Sequence, residues 1–230
     1  IRLDSGDLAY LSIEARRILD EAGLEDVPIV ASNDLDEHVI GSLQQQDARI
    51  AIWGVGTRLT TSFDQPAFGG VYKLSACREP GGPWRDRLKI SEQTAKVSIP
   101  GVLQVRRGFR RGEAVADMIF DEQRPPAPDA GPPVIVDPLD PTRRRTLGDV
   151  DETQDLLQPV FRGGRQVTEL PDIHAARERA ARELGRFHAG VKRFVHPHGF
   201  PVGLESGLAE RRLALMLEAR GHAGHADHAP

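Results

Sequence analysis

Over the first 75 residues, apolar runs of strand length alternate with helical stripes, and that alternation constrains the fold more than any other feature. Ile1-Arg2-Leu3-Asp4 reads as the end of a strand. Leu8 to Glu21 follows, with Leu8, Leu11, Ala15, Ile18 and Leu19 at three- and four-residue spacing and Gly23 as its stop. Val27-Pro28-Ile29-Val30-Ala31 is a short buried strand. Leu35 to Gln46 is a second helix whose inner face is Val39, Ile40 and Leu43, and Asp34 with Glu37 fits a capping box at its start. Arg49 to Trp53 and Val71 to Ala76 are two more strands. The β-α-β-α-β order calls for a parallel sheet or barrel with right-handed crossovers. Two and a half units are too few to close a barrel, so further strands are expected upstream.

Polar, mostly glycine-bearing stretches sit where these strands end: Arg2-Leu3-Asp4-Ser5-Gly6-Asp7, Ala31-Ser32-Asn33-Asp34, Trp53-Gly54-Val55-Gly56-Thr57 and Gly69-Gly70-Val71-Tyr72-Lys73. In repeated β-α units that edge is where ligands bind. The spacing therefore places an arginine, several carboxylates and exposed backbone amides around one pocket suited to a phosphate ester.

The pattern changes after Cys77. Arg87 to Ser91 and Leu103 to Arg107 read as hairpin strands of an antiparallel segment. Five prolines between Gln123 and Pro133 mark a solvent-exposed loop or linker. Leu156 to Arg165 reads as a strand and tight turn, Asp172 to Phe194 as a long helix, and Leu204 to Ala219 as a last one. From Gly221 the chain is small, His-rich and expected to be disordered. The segments are thus 1–76, 77–122, 123–155, 156–220 and 221–230. A net charge of -4 gives no reason to expect a nucleic-acid or anionic-membrane partner, and Cys77 is the only cysteine, which excludes an internal disulfide. No apolar run approaches the ~20 residues of a membrane span, and the cytoplasm is the expected compartment.

Further motifs turn this outline into a resemblance. The three strand-end stretches recur in order with Asp64-Gln65-Pro66-Ala67-Phe68-Gly69-Gly70-Val71-Tyr72-Lys73-Leu74, then Lys89-Ile90-Ser91-Glu92, Lys96 and Pro100-Gly101. Leu157-Gln158-Pro159-Val160-Phe161-Arg162 and Lys192-Arg193-Phe194-Val195-His196-Pro197-His198-Gly199-Phe200-Pro201-Val202 complete the series. In these residues the chain closely resembles nicotinate phosphoribosyltransferase. The resemblance implies an α/β fold: the latter part of an irregular TIM-like barrel of the type II phosphoribosyltransferases, an α+β segment packing on an N-terminal domain, and C-terminal helices. It implies a homodimer that joins nicotinic acid to phosphoribosyl pyrophosphate, giving nicotinate mononucleotide and pyrophosphate in NAD salvage, with Mg²⁺ on the pyrophosphate. ATP hydrolysis is coupled in the family through a phosphorylated histidine upstream of the Arg-Leu-Asp-Ser-Gly-Asp motif, so no histidine of these 230 residues takes that role. On this reading the chain is a C-terminal portion that would be inactive alone. The rivals are a nicotinamide- or quinolinate-using relative, and an inactive copy that keeps only fold and dimer contacts.

With the resemblance in hand, each strand end acquires a role and a competitor. Arg2 is expected to grip nicotinate or pyrophosphate with its planar fork, against an ion pair with Asp4 or Asp7. Asp4 would hold ribose hydroxyls or support oxocarbenium charge, so Arg2 and Asp4 are the expected catalytic pair. Ser5 and Gly6 let the backbone approach the ligand, while Asp7 reads as a helix-start residue. Ser32 would donate to phosphate and Asn33 would bind ribose or phosphate, because Asp34 competes as a helix cap. Gly54, Gly56 and Thr57 frame a 5′-phosphate cradle of backbone amides. Lys73 would bring a cation toward pyrophosphate or ATP, against a solvated strand edge, and Lys89, Ser91 and Lys96 read as structural. His196 and His198 flank a proline and read as a turn rather than metal ligands.

Overall fold

A computed structural model describes residues 1–67, 69–91, 96–127 and 131–226, with side chains described as far as Gly221. Phe68 and Glu92 of the quoted motifs, 128–130 of the Pro-rich stretch, and His228 with the end of the tail lie outside the described residues. The chain forms two compact units, Ile1–Val71 and Tyr72–Pro230, a division five residues before the expected one.

The first unit alternates strand and helix as the periodicity predicts: β1 (Arg2–Leu3), α1 (Leu8–Glu21), β2 (Val30–Ser32), α2 (Glu37–Gln45), β3 (Ile52–Gly54) and a one-turn α3 (Thr57–Thr60). The three strands are parallel in the order β1-β2-β3. Helix α1 starts because the Asp7 carboxylate accepts from the Tyr10 amide at 3.0 Å. It stops at Gly23, whose φ of +71° lets the Leu24 amide turn back to the Leu19 carbonyl at 2.8 Å. Leu8, Ala9, Ala31, Leu35 and Leu43 form its core, with Leu3, Ile40 and Trp53 packed against them. Ser12, fully buried, donates to the Ala9 carbonyl and accepts from the Arg49 amide at 3.0 Å, which ties α1 to the segment entering β3. Truncating Leu35, only 1% exposed, would remove packing of the kind that costs ~2–5 kcal/mol.

The second unit opens with a two-residue pair, β4 (Ala76–Cys77) and β5 (Arg85–Asp86). The expected strand at Val71–Ala76 is thus confined to its end. Arg87–Ser91 is not a strand: the Arg87 amide donates to the Ser75 carbonyl, and Lys89 and Ser98 exchange bonds outside any ladder. Two long strands, β6 (Leu103–Arg110) and β7 (Glu113–Asp121), form a hairpin over Arg111 and Gly112. Both turn residues have positive φ, +52° and +79°, the requirement of a tight two-residue hairpin.

The 123–155 stretch, expected as loop or linker, contributes three strands: β8 (Val134–Val136), β9 (Arg144–Thr146) and β10 (Glu152–Asp155). The physical reason is nonlocal pairing. Ile135 and Val136 are buried because β8 pairs with β13 (Val202–Glu205), and β10 pairs with β6. β13 also runs parallel to β7, so the six-stranded order is β10-β6-β7-β13-β8-β9. Strands of three or four residues carry too few side chains to show a period. β11 (Phe161–Arg162) and β12 (Arg165–Gln166) close over Gly163 and Gly164 as the tight turn predicted there.

Helix α4 (Ile173–Gly185), capped by Asp172, is shorter than expected: the chain leaves it at Arg186 and reaches a 3₁₀ turn at Ala189–Lys192. Helix α5 (Ser206–Ala226) is longer than expected and takes in 221–226, where a disordered tail was anticipated. Glu205 starts it, accepting from the amides of Gly207 and Leu208. Among the described residues no helix is long and apolar enough to cross a membrane.

Candidate active site at the strand ends

Parallel register brings the polar strand ends of the first unit side by side. Leu3 lies opposite Ala31 and Ser32 opposite Gly54, so Asp4, Ser32 and Gly54 leave the sheet at one edge. Arg2 reaches across to Ser32, its Nε donating to the hydroxyl Oγ at 3.0 Å. The same guanidinium lies 3.7 Å from the Asp4 carboxylate, both side chains being largely in solvent. The ion pair with Asp4 is therefore present, but its exposure makes it a weak restraint. Ser32 accepts the Arg2 bond with one lone pair and keeps its O–H as a donor. Past Asp4 and Ser5, Gly6 turns the chain with φ +77° toward α1, where Asp7 is the helix cap.

The second strand end is conformationally unusual. Asn33 and Asp34 have φ of +91° and +45°, left-handed values that cost free energy in non-glycine residues and cluster at functional sites. The capping box expected at Asp34 is displaced by two residues. Asp36 is the cap, accepting from the Val39 amide at 2.8 Å. That bond holds the Asp36 carboxyl below the usual carboxylate range, with Arg58, 3.8 Å away, adding to the effect. The capping competitor for Asp34 is thereby removed. Asn33 and Asp34 are both exposed at the edge beside Ser32.

At the third strand end the backbone itself is the feature. A Cβ on Gly54 would lie 3.3 Å from the Ala31 carbonyl and 3.3 Å from Ser32 Cβ, so the position suits glycine for packing as well as for access. Gly56 is the cap residue of the one-turn α3 and offers its first amides no side-chain cap. Thr57 is its first residue. Beyond it lies an open cleft of about 470 Å³ lined by Asp36, Ile40, Val55, Arg58, Phe63 and Asp64. Arg58 stacks on the Phe63 ring with its guanidinium carbon 4.0 Å from the centroid. Reading the sequence assigned no role to Asp36, Arg58 or Phe63. The one available signal was a second Asp in Asp34-Leu35-Asp36-Glu37.

Lys73 lies beyond Val71, the last residue of the first unit. It belongs to the second unit, where its ammonium donates to the Lys96 carbonyl. The His196–His198 stretch turns as expected, with His196 at φ +48° and the His198 amide donating to the Gly190 carbonyl. Among the described residues, no three His, Cys, Asp or Glu side chains converge as a metal site.

Known proteins resemble the chain along most of its length. Residues 104–212 match the family model for the nicotinate phosphoribosyltransferase C-terminal domain. Nicotinate phosphoribosyltransferase of Bacillus subtilis (strain 168) is 37% identical over 236 residues, covering 96% of this chain and 45% of that protein. The chain belongs to the nicotinate phosphoribosyltransferase family. The nicotinate phosphoribosyltransferase of Mus musculus is 32% identical, with 96% of this chain and 41% of that protein covered. A crystal structure of human nicotinic acid phosphoribosyltransferase superposes with a TM-score of 0.67 at 26% identity, covering 94% of this chain and 40% of that one. The chain thus spans less than half the length of these family members, and the mixed α/β fold is common to the human structure and this one.

Proposed function

We propose that the strand-end site of β1, β2 and β3 serves a nicotinate phosphoribosyltransferase, which joins nicotinic acid to phosphoribosyl pyrophosphate and yields nicotinate mononucleotide and pyrophosphate. The observation that carries the reading is the juxtaposition of Arg2, Asp4 and Ser32 with Gly54 across one parallel edge. In the reaction the C1–oxygen bond to pyrophosphate breaks, leaving positive charge on the sugar, and the pyridine nitrogen lone pair forms the new C1–N bond. Asp4 supports the oxocarbenium charge from beside the ring. Arg2 takes the nicotinate carboxylate or a pyrophosphate oxygen pair. Asn33 and Asp34 hold the ribose hydroxyls, and the amides from Gly54 to Thr57 cradle the 5′-phosphate. Ser5 and Gly6 keep the backbone close to the ligand.

Mg²⁺ fits this donor set as a substrate-borne ion, since it is bound by one or two carboxylates and substrate phosphates rather than by an all-protein cage. Asp4 and Asp34, which follow the ends of neighbouring parallel strands, would supply the carboxylates. When present it neutralises the departing pyrophosphate. Coupled ATP hydrolysis, NAD salvage in the cytoplasm, and a homodimer belong to the same reading. So does the view of this chain as a C-terminal portion, with the phosphorylated histidine and the remaining barrel strands supplied by upstream sequence. Tyr10, Ile13 and Ile18, apolar or aromatic side chains left exposed on α1, are consistent with a surface that other parts of the assembly cover.

The test is product formation by the full-length protein from nicotinic acid and phosphoribosyl pyrophosphate, with and without ATP. Nicotinate mononucleotide made faster with ATP supports the reading. No product under either condition, from folded protein, overturns it.

A further inference from the structure

We infer that Ser32 is a positioning residue that sets which edge of the Arg2 guanidinium meets substrate; the inference rests on the phosphoribosyltransferase reading of the site. A guanidinium offers an oxyanion two bidentate edges: the side edge, Nε with one terminal nitrogen, and the end edge formed by the two terminal nitrogens. Ser32 occupies the side edge, because its Oγ accepts the Nε hydrogen at 3.0 Å. Asp4 lies 3.7 Å from the second terminal nitrogen, too far for a tight bond but close enough to bias the plane of the fork. The end edge is what remains for a planar or tetrahedral oxyanion, either the carboxylate of nicotinate or a phosphate of phosphoribosyl pyrophosphate.

Sheet geometry keeps the pair in register. Arg2 lies opposite Val30, so Ser32, two residues on, presents its side chain on the same face of β2 as that partner. The contact therefore joins neighbouring strands rather than a strand and a loop. Arginine in solvent loses several rotatable bonds' worth of freedom on binding an anion, and a hydroxyl that fixes Nε beforehand lowers that cost. A direct phosphate ligand would make a different contribution, independent of which cation stands at position 2.

A double-mutant cycle in the full-length protein separates these roles. Ser32→Ala should raise KM about tenfold, ~1.4 kcal/mol, for whichever substrate Arg2 grips, with kcat within about twofold. The KM for nicotinic acid and that for phosphoribosyl pyrophosphate are measured separately, and the one that moves names the oxyanion. Ser32→Thr, which keeps the hydroxyl, should restore the parent value. In an Arg2→Lys background, which has no Nε, Ser32→Ala should add nothing. An equal loss from Ser32→Ala in both backgrounds, or no loss in the parent, overturns the inference.

A readout without turnover keeps the two claims apart. The Arg2 Nε–H resonance, assigned by its disappearance in Arg2→Lys, should exchange slowly with water in the parent and in Ser32→Thr, and faster in Ser32→Ala. Unchanged exchange overturns the positioning role whatever the enzyme does. Absent turnover with the expected exchange pattern would count against the function and in favour of the Arg2–Ser32 coupling.

Discussion

Asp34 and Asp36 are two residues apart, yet only Asp36 caps the helix; with Asp34 proposed as a ribose ligand, replacing each in turn should separate activity from stability. Asp36 caps α2 through the Val39 amide, whereas Asp34 sits at φ +45° with its side chain exposed. Asn at position 34 tolerates the left-handed backbone as Asp does, so Asp34→Asn should change stability by no more than about 0.5 kcal/mol. Asp34→Gly should be nearly neutral as well, since relief of a penalty of about 1 kcal/mol is offset by the greater chain entropy of unfolded glycine. Activity should respond differently. Hydrogen bonds from ribose hydroxyls to a charged carboxylate are worth ~1.5–3 kcal/mol, so Asp34→Asn should lower kcat/KM by about 10- to 150-fold. Asp36→Ala should lower the melting midpoint clearly while leaving kcat/KM within about tenfold. Thermal unfolding and steady-state kinetics on the same protein batches read both quantities. A larger stability loss from Asp34→Asn than from Asp36→Ala would show that Asp34 is the cap, and the site assignment would fail with it.

The remaining predictions concern pH and the second unit. Because its folded carboxyl is depressed, the Asp36 cap stabilises above its unfolded value of about 4 and is lost as pH falls through the folded one; the melting difference between parent and Asp36→Ala should accordingly be full at pH 6 and vanish in strong acid. Arg107 makes a two-point bond to Asp117 across β6 and β7, both contacts at 2.8 Å and both side chains mostly buried. Asp117→Ala should strand that cation and cost about 3 kcal/mol in denaturant unfolding, whereas a loss below 1 kcal/mol would mean that solvent replaces the carboxylate. In β13, a Cβ on Gly203 would fall 2.8 Å from Ile135 Cβ and 3.0 Å from the Val136 carbonyl. Gly203→Ala should therefore cost at least ~1–3 kcal/mol, measured the same way, and a neutral result would show that β8 can move aside.

What could be read in the chain follows the range of the forces involved. Helix α1 was legible to the residue because its apolar stripe, its Asp7 cap and its Gly23 stop are all local. The strand-end edge was legible because β-α alternation fixes which ends line up, and Arg2, Asp4, Ser32 and Gly54 do line up. The choice between Asp34 and Asp36 was not legible, since both precede the helix and only backbone geometry selects one. The Pro-rich stretch hid β8, whose partner β13 lies more than sixty residues further on. The end of α4 at Gly185 was read through because Arg186 to Ala189 beyond it include no proline or glycine to break the helical pattern.

The most direct test of the central claim is a crystal structure of the full-length protein with nicotinate mononucleotide bound. The 5′-phosphate is predicted on the amides from Gly54 to Thr57, the ribose hydroxyls at Asn33 and Asp34, and the pyridine ring on the side of Arg2 and Asp4. A nucleotide seated away from the ends of β1, β2 and β3, with Arg2 still bonded only to Ser32 and Asp4, would contradict the account.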